Sequence, residues 1–76
     1  MYPAQQNAID EARKLGLPLD EALIFQVVPT EILRLVVAGA IDPVAMAREE
    51  IASRGLSQGG KWVGFEKAAA ELEQER

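Results

Sequence analysis

The sequence predicts an all-α fold, a small bundle of four to five short helices. The chain has 76 residues, of which 49% are apolar but only 5% aromatic, so its core must consist mainly of aliphatic side chains and alanine. Apolar residues recur at helical spacing, and Pro or Gly separates the successive segments. At this length we expect a single small helical domain, residues 1–76, with the charged end frayed from about residue 73.

The first predicted helix runs from Pro3 to Leu15. Proline suits the first helical turn, where its missing N–H would have no partner within the helix. Gly16 follows as a C-terminal cap, and Asp10 can pair with Lys14 four residues on. The apolar positions of this helix are mostly alanine, so we expect close packing and a small contribution to the core.

The most apolar part of the chain, residues 17–41, predicts a hairpin of two helices divided at Pro29. Acidic residues open the first of them, which continues through the apolar run to Val28. The second starts at Pro29 and stops at Gly39. A run this short can also form a buried strand, but the chain offers no second strand of similar quality, so we predict helix. The hairpin is expected to supply most of the core.

Two more helices follow in the second half of the sequence. Asp42 and the proline after it give the clearest start signal, an N-cap followed by proline at the first helical position, for a helix over Pro43–Arg54. The spacing of apolar residues predicts the last helix from Phe65 to about Glu73. Between them, Leu56–Gly64 lacks helical character and is predicted to be a Gly-rich irregular loop with an extended segment at Trp62.

The composition argues against most catalytic chemistry. The chain has neither cysteine nor histidine, which removes the commonest nucleophile, general base and transition-metal ligands. Two adjacent carboxylate pairs, Asp20/Glu21 and Glu49/Glu50, point in different directions on a helix, and the hydroxyls have no base to activate them. We therefore predict a non-enzymatic protein with no cofactor, no metal and no small-molecule substrate.

The sequence also suggests a location. Its start lacks the basic segment and apolar run of a secretory signal. No stretch reaches the roughly 20 apolar residues of a membrane helix, and the lack of disulfides favours a reducing compartment. We expect a cytoplasmic protein with no membrane association.

One segment formally resembles a phosphate-binding loop. Residues 55–61, GLSQGGK, match the first seven positions of G-x-x-x-x-G-K. The mechanism also needs Ser or Thr at the eighth position to hold magnesium, and this sequence has Trp62 there. The motif follows a predicted helix instead of a strand, so we interpret it as a helix C-cap followed by a glycine turn.

The central hairpin predicts a protein–protein interface. Its helices carry large apolar residues on more than one face, and the flanking helices offer mainly alanine to cover them. Surplus apolar surface of this kind is typically buried against another chain. We predict a homodimer or a complex with a protein partner; the alternative is a monomer whose five helices cover the hairpin. The predicted interface comprises Leu23, Phe25, Val27, Leu33, Val36 and Val37.

Nucleic-acid binding is the alternative function. Residues 19–39 could form a helix-turn-helix, but the would-be recognition helix offers base edges only Thr30, Glu31 and Arg34. A net charge of −4 also disfavours broad phosphate binding. A basic and aromatic cluster further along the chain could contact either kind of partner. It comprises Arg48, Arg54, Lys61, Trp62, Phe65 and Lys67.

The two aromatic residues of that cluster have two interpretations. Trp62 and Phe65 flank a Val-Gly pair in an otherwise aliphatic protein. The favoured interpretation is that one or both plug the end of the helix bundle. The alternative is that they anchor a partner, because aromatic side chains often dominate binding energy at interfaces.

From Asp42 onward, the segments AREEIASRGL and GKWVGFEKA resemble the C-terminal part of short uncharacterised bacterial proteins, of the kind carried on plasmids and other mobile elements. The resemblance covers roughly the last 30 residues. It implies a bacterial cytosolic accessory protein that modulates or inhibits a host protein, and it carries over no functional residue.

Overall fold

The computed structural model describes residues 2–75 and confirms the all-α prediction. It contains five helices: α1 (Pro3–Lys14), α2 (Leu19–Ala22), α3 (Thr30–Val37), α4 (Pro43–Ser53) and α5 (Phe65–Glu75). No strand occurs within residues 2–75; an isolated antiparallel bridge joins Leu56 and Trp62. The chain divides into two compact units, one up to residue 35 and one from residue 36. The single-domain expectation stays a prediction.

Helix α1 begins at Pro3 as predicted and ends at Lys14, one residue before the predicted end at Leu15, which is its C-cap. Pro3 occupies its first position, and the helix ends in a Schellman motif centred on Gly16, whose φ is +72°. The Gly16 N–H donates to the Arg13 carbonyl and the Leu17 N–H to the Ala12 carbonyl. These two bonds satisfy carbonyls that the helix end would otherwise leave without partners. The predicted pairing of Asp10 with Lys14 is wrong, because Lys14 Nζ lies 3.2 Å from Glu11 Oε1, while Asp10 Oδ1 lies 3.8 Å from Arg13 Nη1.

The prediction of a long second helix is wrong. Helix α2 is only four residues long and ends at Ala22. Two successive turns follow, in which Gln26 N–H donates to the Leu23 carbonyl and Val28 N–H to the Phe25 carbonyl. The apolar run is therefore neither helix nor strand. The physical cause lies at its end, where β-branched residues precede Pro29 and the residue before a proline is biased out of the helical region.

Helix α3 starts one residue after Pro29, whose carbonyl accepts the first bonds of the helix from Ile32 and Leu33. It ends at Val37, and Gly39 follows with a φ of +83°. The helix crosses the boundary between the two units, since Leu35 closes the first and Val36 opens the second. Its predicted start and stop signals are thus confirmed.

Helices α4 and α5 pack against each other in the second unit. Asp42 caps α4 as predicted, because its Oδ1 accepts the N–H groups of Val44 at 3.0 Å and Ala45 at 3.1 Å. A second Schellman motif, centred on Gly55, ends α4. Helix α5 starts at Phe65 as predicted and extends to Glu75.

The buried apolar residues lie outside the central hairpin segment, so the prediction that this segment supplies most of the core is wrong. Within the described chain they are Ile9 and Ala12 on α1, Ala52 on α4 and Ala68 on α5. No residue of α2 or α3 is buried. The closest packing uses alanine, which lets helix backbones approach, whereas the larger side chains of residues 17–41 lie at or near the surface.

Candidate interaction surfaces

The apolar segment, residues 23–37, contains all six residues of the predicted interface. Val27 is 92% exposed and Val37 is 88% exposed, while Phe25 is 39% exposed. The side chains of Leu23, Leu33 and Val36 are half-buried. The segment also exposes Ile24, Ile32 and Leu35, which the predicted interface did not include. Large aliphatic side chains of this segment are therefore open to solvent.

A groove of about 260 Å³ opens in the first unit between α1 and the turns that follow α2. Two of the predicted interface residues, Leu23 and Phe25, lie in its wall. The complete lining comprises Ala4, Gln5, Ala8, Ala22, Leu23, Ile24, Phe25 and Gln26. Sequence reasoning did not predict this groove. The available signal was the pair Ala4 and Ala8, which share one face of α1 and whose small side chains leave room beside the turns.

The second surface is the aromatic loop, residues 55–65, which links α4 to α5. Gly55 anchors it: the Gly55 carbonyl accepts the N–H groups of Val63 at 3.0 Å and Gly64 at 3.1 Å. At the tip, Ser57 N–H donates to the Lys61 carbonyl at 2.7 Å, and Lys61 N–H donates to Ser57 Oγ at 3.1 Å. The loop is thus closed by hydrogen bonds at its base and its tip. The interpretation of GLSQGGK as a C-cap followed by a glycine turn is confirmed.

Trp62 and Phe65 form an exposed aromatic pair on this loop. Their ring centroids are 5.5 Å apart and the rings are nearly perpendicular, at 86°. Trp62 is 66% exposed and Phe65 is 63% exposed. The favoured prediction that one or both rings plug the end of the helix bundle is therefore wrong, and the alternative, surface-exposed anchors, agrees with their exposure. An edge-to-face arrangement is one of the two that aromatic pairs prefer.

Gly55 also fixes the position of the indole. A Cβ atom on Gly55 would lie 2.5 Å from Cζ3 of Trp62, so the ring rests directly on the glycine backbone. With a φ of +75°, Gly55 is the residue that both the Schellman motif and the ring require. Sequence reasoning assigned Gly55 to the helix cap and missed its contact with Trp62, because no sequence pattern reports a contact across a loop.

The basic residues of the predicted cluster differ in whether they form ion pairs with carboxylates. Arg54 is bound to Glu50 four residues before it, with Nε 2.9 Å from Oε2. The backbone carbonyl of Arg48 accepts a long bond from Gln58 Nε2 at 3.4 Å, and its side chain is exposed. Lys61 and Lys67 are exposed, and neither lies within ion-pair distance of a carboxylate among the side chains described for residues 2–74.

The hydroxyl groups of two serines form hydrogen bonds within their own helix or loop. Ser53 Oγ donates to the Glu50 carbonyl at 2.7 Å, and Ser57 Oγ holds the loop tip.

Over the described part of the chain, no group of three or more acidic side chains comes close enough together to hold a metal ion. None of the helices in residues 2–75 combines the length and apolar character needed to cross a membrane.

Comparison of the chain with models of known protein families, with characterised proteins and with solved structures found no match.

Proposed function

We propose that this protein is a non-catalytic interaction module that self-associates through the apolar segment. One observation carries the proposal: large aliphatic side chains of residues 23–37 are open to water, including Val27 at 92% and Val37 at 88%. Covering a fully exposed valine contributes about 1.5–3 kcal/mol, so a second chain that covers several of these residues gains a large favourable term. In the first unit the exposed residues Ile24, Phe25 and Val27 follow one another closely along the chain, and exposed apolar patches mark interaction sites in soluble proteins.

The groove in the first unit adds shape to this surface. Leu23 and Phe25 form part of its wall, and its lining is mainly apolar, with Gln5 and Gln26 as the polar members. A cleft of about 260 Å³ can accept a large side chain of a partner. Interfaces of high affinity usually centre on an anchor side chain in such a pocket. The groove therefore supports an interaction function over a catalytic one.

The hydrogen bonding of the serine hydroxyl groups also supports a non-catalytic function. A nucleophilic serine needs an adjacent base, and the sequence has no histidine or cysteine. Ser53 and Ser57 instead bond to the backbone of their own helix and loop. The resemblance to mobile-element proteins leads to the further proposal that the module is an accessory modulator or inhibitor of a host protein in a bacterial cytoplasm.

A small nucleic-acid-binding regulator is the weaker candidate. A helix-turn-helix joins its helices by a turn of three or four residues, whereas α2 has only four residues and the stretch from Leu23 to Pro29 separates it from α3. Helix α3 carries one basic residue, Arg34. These features favour protein binding over base readout.

Sedimentation equilibrium tests self-association. We expect the wild-type chain to dimerise at about 10 µM, which requires a Kd near 1 µM or about −8 kcal/mol. The double substitution of Val27→Lys and Val37→Lys should weaken the dimer at least tenfold, because it places two charges in the interface. The matched control, Asn7→Lys with Ala70→Lys, adds the same charge at exposed helix positions and should leave the dimer intact.

Far-UV circular dichroism should show equal helix content in the wild type and both variants, since all four positions are exposed. A wild-type chain that remains a monomer at 100 µM, where a contact of about −8 kcal/mol would be saturated, contradicts self-association. An equal loss of dimer in both variants contradicts the assignment to the apolar segment.

A further inference from the structure

We propose that the aromatic loop is a second binding surface, and that its partner is a short acidic protein segment carrying one large apolar side chain. The loop belongs to the second unit and shares no residue with the apolar segment. The inference deepens the proposed interaction function by giving a chemical class of partner, and it does not depend on self-association.

The first argument is pre-organisation. The base of the loop is held by two bonds to the Gly55 carbonyl and its tip by the Ser57 hydroxyl. The indole of Trp62 is seated on Gly55, and Phe65 stands edge-on to it at the first position of α5. Ordering an interface side chain on binding costs conformational entropy, which lowers the affinity. Here the conformation of both rings is supported before a partner arrives, so more of the contact energy becomes affinity.

The second argument is exposure. About two-thirds of each ring is open to solvent, at 66% for Trp62 and 63% for Phe65. They are two of only four aromatic residues in the chain. Perpendicular rings leave an apolar corner that suits one aliphatic or aromatic side chain, and Trp is among the residues enriched at binding hot spots. The partner segment must therefore present one large apolar side chain.

The third argument is charge. Lys61 precedes Trp62, and Lys67 lies in the first turn of α5 two residues after Phe65. Both lysines are exposed, and neither has an ion-pair partner among the described side chains of residues 2–74. One carboxylate, Glu66, stands between them in the chain, where it matches the positive end of the helix dipole. The two lysines thus favour Asp or Glu beside the apolar anchor and oppose a cationic ligand.

The charges further from the loop limit the size of the partner. Away from the loop, helices α4 and α5 carry four carboxylates within residues 43–74: Glu49, Glu50, Glu71 and Glu73. A long polyanion such as single-stranded nucleic acid would extend from the lysines onto these acidic helices. A short acidic segment can meet the lysines and the two rings alone. Complementary charge of this kind mainly sets specificity and the rate of association.

Selection from a displayed library of random 12-residue peptides identifies the partner class. Wild-type protein is the bait, and two variants serve for counter-selection. Trp62→Ala with Phe65→Ala removes the rings; Lys61→Glu with Lys67→Glu reverses the charge and keeps them. We expect the peptides enriched on wild type alone to contain Asp or Glu beside Leu, Ile or Phe. Neutral or basic peptides, the same peptides on either variant, or no enrichment would overturn the proposal.

Fluorescence then measures binding directly, because Trp62 is the only tryptophan in the sequence. The most enriched tryptophan-free peptide should shift the emission of wild-type protein to shorter wavelength as the indole loses water. Charge reversal at Lys61 and Lys67 should raise the Kd at least tenfold, and 0.5 M salt should raise it several-fold, because exposed charges are screened. An unchanged Kd on charge reversal, or tighter binding of a twelve-residue thymidine oligonucleotide, refutes an acidic protein partner.

Two controls separate this proposal from self-association. The Val27→Lys and Val37→Lys variant should bind the selected peptide with unchanged Kd, since both residues lie outside the loop. The charge reversal in the loop should leave the sedimentation behaviour as in wild type. Loss of peptide binding in the valine variant would show that the loop depends on the other surface, and would overturn its assignment as an independent site.

Discussion

Replacement of Gly55 by alanine should displace the indole of Trp62 without unfolding the protein. The new Cβ would lie 2.5 Å from Cζ3 of the ring, 3.0 Å from Cη2 and 3.2 Å from Cε3. Real Cβ atoms do not approach other atoms so closely, so one group must move. The indole is the group free to do so, because two-thirds of it is exposed and it can swing into solvent.

The magnitude follows from two contributions. A φ of +75° at Gly55 costs alanine about 1–2 kcal/mol. Trp62 is 66% exposed, so about a third of its surface is covered. Full burial of an aromatic side chain removes about 150–250 Å², so a third is roughly 50–80 Å², or about 1–2 kcal/mol at 25 cal/mol per Å². Gly55→Ala should therefore cost about 2–4 kcal/mol in the free energy of unfolding.

Gly60→Ala is the matched control. Gly60 has a φ of +88° in the same loop, but nothing lies within 4 Å of its Cβ position. Gly60→Ala should therefore lower the free energy of unfolding only by the conformational contribution, about 1–2 kcal/mol. Urea unfolding followed by far-UV circular dichroism gives the stabilities. Near-UV circular dichroism and Trp62 emission should change in Gly55→Ala and remain as in wild type in Gly60→Ala.

A double-mutant cycle isolates the clash. In a Trp62→Ala background the ring is absent, so Gly55→Ala should cost about as much as Gly60→Ala, about 1–2 kcal/mol. Equal costs of the two glycine substitutions in the wild-type background, together with unchanged near-UV spectra, would refute the contact between Gly55 and Trp62. That outcome would also remove the pre-organisation on which the loop proposal depends.

Two further predictions concern single contacts. Asp42→Ala should lower the free energy of unfolding by about 0.5–2 kcal/mol through loss of the α4 cap. Asp42→Asn should cost much less, because asparagine caps nearly as well. Equal losses of the two variants in urea unfolding would contradict the capping role. Ala68→Leu should cost about 1–3 kcal/mol, because Ala68 is 0% exposed and α5 packs on α4. Ala70→Leu, at an exposed position of α5, is its control, and a similar loss there would contradict the assignment of the packed face.

Helix ends were the most predictable part of this protein. Pro3, Asp42 and Pro43 mark helix starts, and Gly16, Gly39 and Gly55 follow helix ends, as the sequence predicts. These signals are local, because a cap needs only the hydrogen bonds of residues two to five positions away. Local chemistry decides them whatever the rest of the chain does.

The segment after α2 shows where sequence reasoning failed. The sequence predicts a helix for the apolar run up to Val28, yet the chain turns twice there. Helix formation needs a nucleus and then several residues of propagation. With Pro29 fixing one end and α2 only four residues long, the run is too short to gain from helix formation, and composition alone does not reveal this.

The predicted surfaces were recovered in part. All six predicted interface residues lie in a segment with large exposed side chains, but only Phe25, Val27 and Val37 are themselves exposed. The groove could not be predicted because α1 forms one of its walls. Its lining residues, from Ala4 to Gln26, come together only in the folded chain. For the aromatic pair, the sequence allowed either a core or a surface position and favoured the core. A helical pattern shows that residues share a face, but it does not say what covers that face.

The sequence by itself determined the helical class, the caps, the absence of cysteine and histidine chemistry and the surplus of aliphatic side chains, because all of these depend on residue identity and near neighbours. Only the tertiary structure decided which apolar residues are covered. It buries alanines on α1, α4 and α5 and leaves Val27, Val37 and Trp62 open. Burial depends on the approach of helices distant in sequence, and the small side chains permit the closest approach.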